Sequence, residues 1–571
     1  MKKRYLSSLF ALLLISIVAC GPESVEVEPT LIVPTRAEQV EIEPTQEANV
    51  EISVPQGTPI PETMPEPDDV PTAVAVEVQE DAAEVAEVSE PESEPAEEGS
   101  ILRVSHSLVW GGAEVTDPYS ATRFAEFSLF VHERLVRLDG SGNLVPVLAT
   151  AWESNVDGSV WRFTIRNDVT FHNGADMGPA DVVYSIERMI DPTIGSTLEP
   201  VLQSIASVQI SDNQVVVGLD TPNVEFPLLL TDERAVILQA DINGQPSADE
   251  VGTGPFAFES INIGGITRLL VHEGYWGGRP GVDQVEIIAI PDDATRVEAM
   301  LAEQIDILDN ISSEQQAEFN DTNRFGLQSV PTGNWRGFAM RTDTAPYDDP
   351  NVRQAIKLAA DRQALVDQVL GGAGVVACDH PVWSGDRYHN PLECGQDIET
   401  AKSLLTASGY QNGIDLTIRT SQLDPIWPEL LTVYQEQAAA AGIRLEIIED
   451  PVETFWTNTW LVEPFITTSW NERPAPLILN EAWRSGAPWN ETYWDRADFD
   501  ELLDQAAAEP DLALRRGAYW DAQQLLSEEG GTFIPFHLNQ VRVVSTCIAG
   551  VQPITAEHID FSKIVKTPNC N

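Results

Sequence analysis

Fourteen tryptophans stand in a chain of 571 residues. Trp110, Trp383, Trp427, Trp456, Trp470, Trp483 and Trp489 fall in stretches that read as loops. Aromatic rings carried by loops on a rigid scaffold suit a closed cleft, where ring faces bury an organic solute. For each ring taken singly, ordinary core packing is the alternative. Arg473 adds a planar guanidinium fork that matches a carboxylate or a phosphate, and Glu472 stands beside it. An ion pair to Glu472 or Glu481 at the surface is the competing role for Arg473. Bond-making chemistry is not written in the chain: His-Glu-x-x-His, Gly-x-Ser-x-Gly and the Walker phosphate loop are all missing. Gly372-Ala-Gly374-Val-Val-Ala377 mimics a dinucleotide fingerprint, but it follows a helix instead of a strand. No catalytic residue, metal ligand set or cofactor is therefore expected. Serine-based hydrolysis by side chains that only the fold brings together stays open.

The formal net charge is −57, from 90 acidic and 33 basic residues. That balance excludes general nucleic-acid binding, which depends on Lys and Arg neutralising phosphates. Beyond residue 100 the lysines are Lys357, Lys402, Lys563 and Lys566. Such a surface suits saline surroundings, where screening weakens self-repulsion; a genomic preference for Arg is the alternative. Residues 1–20 open with Lys2, Lys3 and Arg4, then an apolar run too short for an ordinary spanning helix. The run ends Ile17-Val18-Ala19-Cys20, which resembles the lipobox of bacterial lipoproteins. That resemblance implies a lipid on Cys20 and attachment to the membrane through the lipid alone. Residues 21–100 hold Arg36 as their one basic residue and no aromatic ring. They cannot bury enough apolar surface to offset ordering entropy, so a disordered acidic Pro/Glu-rich tether is expected, an interaction tail being the alternative. Four cysteines follow. Cys378 and Cys394 flank a loop, and Cys547 and Cys570 flank the C-terminal tail. In an exported chain these local pairs read as two disulfides; a metal site from Cys378, Asp379, His380 and Cys394 is the alternative.

These side chains need a frame. Trp161, Phe163 and Ile165 alternate as in a half-buried strand, and a helix follows over 179–188. A further helix is expected over 296–308. Trp335, Gly337 and Ala339 alternate with Arg336, Phe338 and Met340 as a strand, and two prolines then force a turn at 345–350. The next helix places Val352, Ala355, Ile356 and Ala359 on one face, with Arg353 and Lys357 on another. Helices over 397–409 and 430–441 alternate with strands over 414–419 and 443–448, the pattern of a mostly parallel sheet. Helices over 499–508 and 515–528 precede a returning strand over 532–538.

Three passages carry a resemblance: Asn143-Leu-Val-Pro-Val-Leu-Ala-Thr-Ala-Trp152 with the strand and helix after it, Val251-Gly-Thr-Gly-Pro-Phe256, and Tyr347-Asp-Asp-Pro-Asn-Val-Arg-Gln-Ala-Ile356 running on to Gly371-Gly372. In this order they resemble the family 5 extracellular solute-binding proteins, the dipeptide- and oligopeptide-binding components of ATP-driven importers, over nearly all of 101–550. The resemblance implies an α/β, two-lobed, periplasmic-binding-protein-like fold (type II, with an extra subdomain), with mixed sheets flanked by helices. Residues 101–340 would form the first lobe, with a small subdomain at about 136–246 whose motif residues are scaffold. Residues 341–530 would form the second lobe, and 531–571 a return to the first lobe with a C-terminal tail. It also implies that the loops of Trp110 and Trp470 line the inter-lobe cleft; with Gly254, Arg336, Trp383, Glu472 and Arg473 these are the expected ligand-binding residues. Peptide-binding members resemble Trp-x-x-Asp-Tyr-x-Asp-Pro there, with an acid for the peptide's α-ammonium. This chain has Trp470-Asn-Glu-Arg-Pro-Ala-Pro476, with Arg473 close to the acid's place. A peptide-like or anionic organic solute is the expected ligand, with ABC permease subunits as partners. A monomer on the outer face of the cytoplasmic membrane, periplasmic or extracellular, is the expected setting. A secreted hydrolase or a receptor-like sensor reusing the fold are the alternatives.

Overall fold

The computed structural model describes residues 100–106, 116–120, 130–139, 142–240, 250–319, 323–551 and 560–567. Two long strands, Phe325–Met340 and Thr532–Ser545, join its halves. They pair antiparallel along most of their lengths, with register slips between Pro331 and Trp335 and between Arg336 and Phe338. One end of the pair continues through Ile307–Asp309, Ile101–His106, Gln284–Ala289, Ile266–Val271 and Phe256–Ser260. The other continues through Phe465–Trp470, Ile414–Ser421 and Ile443–Asp450. With Gly374–Val376, which pairs with Thr532–Ser545 off this path, they make one mixed sheet of eleven strands that serves both lobes, and helices flank it. In the second lobe Ile414–Ser421 and Ile443–Asp450 run parallel, connected through the helix Ile426–Ala440, which buries Leu430, Leu431, Tyr434 and Ala438. The long connection is what parallel pairing demands.

A separate antiparallel sheet of four strands, Ala149–Ser154, Val160–Ile165, Gln214–Leu219 and Ile205–Ser211, forms the small subdomain with the helix Pro179–Ile190. The alternating Trp161, Phe163 and Ile165 all enter its core. Each such ring or branched chain contributes about 1.5–3 kcal/mol by leaving water.

Two local expectations change. The helix expected to reach residue 308 stops at Leu301, and Ile307–Asp309 is a strand. Glu303 takes a left-handed φ of 60°, and Gln304 N–H donates to Ala299 O at 2.8 Å. That is a helix-ending turn built without glycine, so the sequence carries no stop signal there. Arg353 and Lys357, expected on a polar face, are buried. Arg353 donates to the Glu529 and Tyr347 carbonyls, and Lys357 Nζ to Ser527 O at 2.8 Å. Both cations satisfy carbonyls at the C-terminus of the helix Leu512–Glu529, where the helix dipole favours positive charge. Burial lowers Lys357 to about 8.

Burial also sets the pH response. It pushes His380 and His537 down to about 3 and His172 down to about 4, from 6.5. These rings stay neutral in the fold while the unfolded chain protonates them, so their effect is a loss of stability as pH falls below 6.5. Burial pushes Glu133, Glu472 and Glu491 up to about 7, from 4.5. There the fold takes protons before the unfolded chain does, which adds stability as pH falls from 7 to 4.5. Burial lowers His106 and His272 and raises Asp181, Glu225, Asp306 and Asp386 in the same way. The two effects therefore oppose each other between pH 6.5 and 4.5, and at lower pH the histidine loss is joined by that of carboxylates held low, Asp232 among them. The urea midpoint is expected to be nearly flat from pH 6.5 to 4.5 and to fall steeply below. A midpoint that drops steadily from pH 6.5 would mean the buried carboxyls titrate normally.

Candidate functional site

A cavity of about 30 Å³, room for about two waters, lies where the small subdomain meets the second lobe. Leu138, Gly142 and Leu228 form one wall. The other comes from the loop around Trp383–Tyr388 and from Glu472–Pro476, which leaves the strand Phe465–Trp470 and enters the helix Ala475–Ala482. Trp383, Glu472 and Arg473, three of the residues singled out from the sequence, meet here.

Trp383 occupies a slot made by missing side chains. A Cβ on Gly385 would stand 2.2 Å from its ring, and one on Gly333 2.5 Å from it. Glu472 closes the slot: its carboxylate accepts from Gly333 N–H at 2.8 Å and from the Trp383 side chain, while its own N–H donates to Asn334 Oδ1 at 2.6 Å. Burial pushes Glu472 up to about 7, against the pull of those donors. Gly385→Ala is expected to displace the indole and to weaken binding of any solute held at this cavity roughly tenfold, an overpacking effect. Calorimetric titration checks this, and unchanged affinity would remove Trp383 from the site.

Behind Arg473 runs an alternating chain of charge. Arg473 Nη1 donates to Glu481, whose other oxygen accepts from Arg234 Nη2 at 3.2 Å. Arg234 in turn grips Asp232 through two bonds of 2.6 Å. Arg234 is 1% exposed, Asp232 7% and Glu481 6%. Burial pushes the Asp232 carboxyl up, and the Arg234 guanidinium overcomes this and holds it well below the usual range. The Arg473 guanidinium also lies over the rings of Trp470 and Trp489, 5.3 and 5.4 Å from their centroids. Asp386, on the same cavity wall, accepts from the N–H groups of Tyr388 at 2.7 Å and Ala475 at 2.9 Å; burial raises its carboxyl.

The other singled-out residues lie elsewhere. Trp470 is buried and donates its indole N–H to Glu491 at 3.0 Å, as Trp460 does at 2.7 Å. Trp427 and Trp483 are buried as well, whereas Trp456 is half exposed. Arg336 pairs with Asp424, which also accepts from Ile426 N–H at the head of the helix Ile426–Ala440. Gly254 is packed against the Phe130–Val131 backbone, and its carbonyl lies 3.0 Å from His172 Nε2; it does not line the cavity. Trp110 and Cys20 lie outside the described residues. Cys378 and Cys394 form a disulfide. Cys547 is disulfide-bonded too, and its expected partner, Cys570, lies outside the described residues. No cluster of metal-ligating side chains is present among the described residues, and no helix there is long and apolar enough to cross a membrane.

Sequence reasoning missed Asp232 and Arg234. Their signal was available: Thr231-Asp-Glu-Arg234 interrupts the apolar run from Phe226 to Leu238, and charge inside such a run is buried with a partner. It also missed Glu225, in the small subdomain, which accepts from the Tyr388 hydroxyl.

The family description "Bacterial extracellular solute-binding proteins, family 5 Middle" matches residues 143–495. A probable di/tripeptide-binding protein of Pseudomonas aeruginosa is 30% identical over 492 residues, covering 76% of this chain and 89% of that protein. The peptide transport periplasmic protein SapA of Salmonella typhimurium is 27% identical over 439 residues, 70% of this chain and 80% of that protein. Among solved structures, the Helicobacter pylori periplasmic binding protein DppA, in complex with a peptide, superposes with a TM-score of 0.72 at 21% identity, covering 82% of this chain and 98% of that one. The agropinic-acid complex of AgaA from A. tumefaciens R10 superposes with a TM-score of 0.71 at 23% identity, covering 82% of this chain and 99% of that one. The lobes, the small subdomain and these matches place the chain in a single group: it belongs to the bacterial extracellular solute-binding proteins, family 5.

Proposed function

We propose that this chain is an extracytoplasmic lipoprotein that captures a peptide-like or anionic organic solute between its lobes and delivers it to the membrane subunits of an ABC importer. The observation that carries the reading is the wall between the lobes that brings together the Arg473 guanidinium, the Trp383 ring and the Glu472 carboxyl, around a cavity that holds about two waters as it stands and must widen to admit such a solute. The relative named for di- and tripeptides supports a small ligand with amide and carboxylate groups. A guanidinium has five N–H donors, and a single bond to Glu481 leaves others for a ligand oxygen. Binding energy favours the closed arrangement by as much as the solute prefers it to the open one. The anchor would be Cys20, after Ile17-Val18-Ala19. Mass spectrometry of small molecules retained by the native protein tests the capture, and a protein that retains none and binds no short peptide would count against it. Cys20→Ala is expected to move the protein from the membrane to the soluble fraction; unchanged fractionation would refute the anchor alone.

A further inference from the structure

Residues 377–397 hold no helix or strand, and beyond the first of them, where Ala377 N–H donates to Pro535 O at 3.0 Å and Asp379 N–H to Ile534 O at 3.2 Å, no ladder of backbone bonds fixes their shape. This stretch nevertheless supplies Trp383, Gly385, Asp386, Arg387 and Tyr388 to the cavity wall. It also reaches the small subdomain. Arg387 Nη2 donates to Gly142 O at 2.8 Å, and the Tyr388 hydroxyl donates to Glu225. Its two ends are clasped by the Cys378–Cys394 disulfide, with Cα atoms 5.6 Å apart. Between clasp and tip each arm of the loop is tied to the second lobe separately. Asp379 pairs with Arg362 and accepts from Ile534 N–H at 3.0 Å, while Gln523 donates to Tyr388 O at 2.7 Å and accepts from Asn390 N–H at 2.9 Å, and Trp520 donates to His389 O at 2.9 Å. The disulfide is the covalent link that joins the two arms.

We propose that the Cys378–Cys394 disulfide is a positioning element of the binding site, which makes 379–393 the specificity loop and holds its tip in the ligand-ready shape before any solute arrives. The inference rests on the capture reading for its consequence in affinity, though not for its geometry. A loop whose ends are free samples many shapes, and ordering it on binding subtracts from affinity. Closing it at its base removes much of that freedom in advance. A disulfide that acted only as a global staple would restrict the unfolded chain instead, and its loss would lower the stability of the whole lobe without loosening this loop in particular.

The test uses the full chain with the clasp removed, as Cys378→Ala/Cys394→Ala. Cys378→Val/Cys394→Ala fills the vacated volume and serves should the first variant fold poorly. Backbone hydrogen exchange is read by mass spectrometry with no solute added. Exchange over 382–389 is expected to quicken at least tenfold, with the rest of the second lobe near wild-type rates. Native mass spectrometry of the same preparations is expected to find that the variant has lost the small molecule wild type retains. Wild-type exchange in the loop, or quickening spread evenly over the lobe, overturns the proposal. A wild type that carries no small molecule counts against the capture reading, and the exchange data still decide the role of the clasp.

Discussion

Arg473→Ala is expected to weaken binding of the co-purified solute by about 30-fold to several thousand-fold, the range for removing a charge-assisted contact in a desolvated cleft, or roughly 2–5 kcal/mol. The size follows from the setting of the guanidinium. Its side chain is 19% exposed on the cavity wall, with the rings of Trp470 and Trp489 near it, so little water is present to replace a lost ligand bond. Glu481 does not become an orphan in this variant, because Arg234 still holds its other oxygen. The loss therefore reads ligand contact more than damage to the wall. Arg473→Lys keeps the charge without the fork and should recover only part of the affinity. Calorimetric titration decides the matter. If Arg473→Ala binds as tightly as wild type, the arginine serves only as partner to Glu481, and the anionic-solute reading falls.

A second large effect is expected from Arg234→Met, this time on stability. Arg234 is 1% exposed and is the shared counter-ion of Asp232 and Glu481. Methionine fills comparable volume but leaves Asp232 buried without its partner and Glu481 with Arg473 alone. Breaking a buried pair from one side costs about 3–5 kcal/mol, which urea denaturation reads directly as a lowered midpoint at unchanged slope. The same change made on an Asp232→Asn/Glu481→Gln background should cost far less, since no buried charge is then stranded. A cost below about 1 kcal/mol in the native background would mean water reaches the pair and screens it.

Sequence alone determined a good deal. Period-2 and period-3.6 patterns located the strand at Trp161–Ile165 and the helix carrying Val352, Ala355, Ile356 and Ala359, all four fully buried, because local backbone geometry dictates which side chains share a face. The motifs around 143–188, 251–256 and 347–372 pointed to the family before any coordinates. The pairing of Cys378 with Cys394 was legible from their separation of 16 residues, short enough for a local loop. Tertiary structure decided the rest, and for one physical reason: the partners of buried polar groups are distant in sequence. Arg353 and Lys357 read as surface cations until Ser527 and Glu529 arrive from a helix more than 160 residues away. Arg234 and Glu481 lie 247 positions apart, so the pair that carries the charge from the small subdomain toward Arg473 has no local signature. Tryptophans sort in the same way. Trp383 lines the cavity because two glycines, Gly333 and Gly385, leave room for its ring, whereas Trp427 and Trp483 are taken into cores. A sequence states that a ring is present; only the packing of separate segments decides whether that ring faces a solute or the interior.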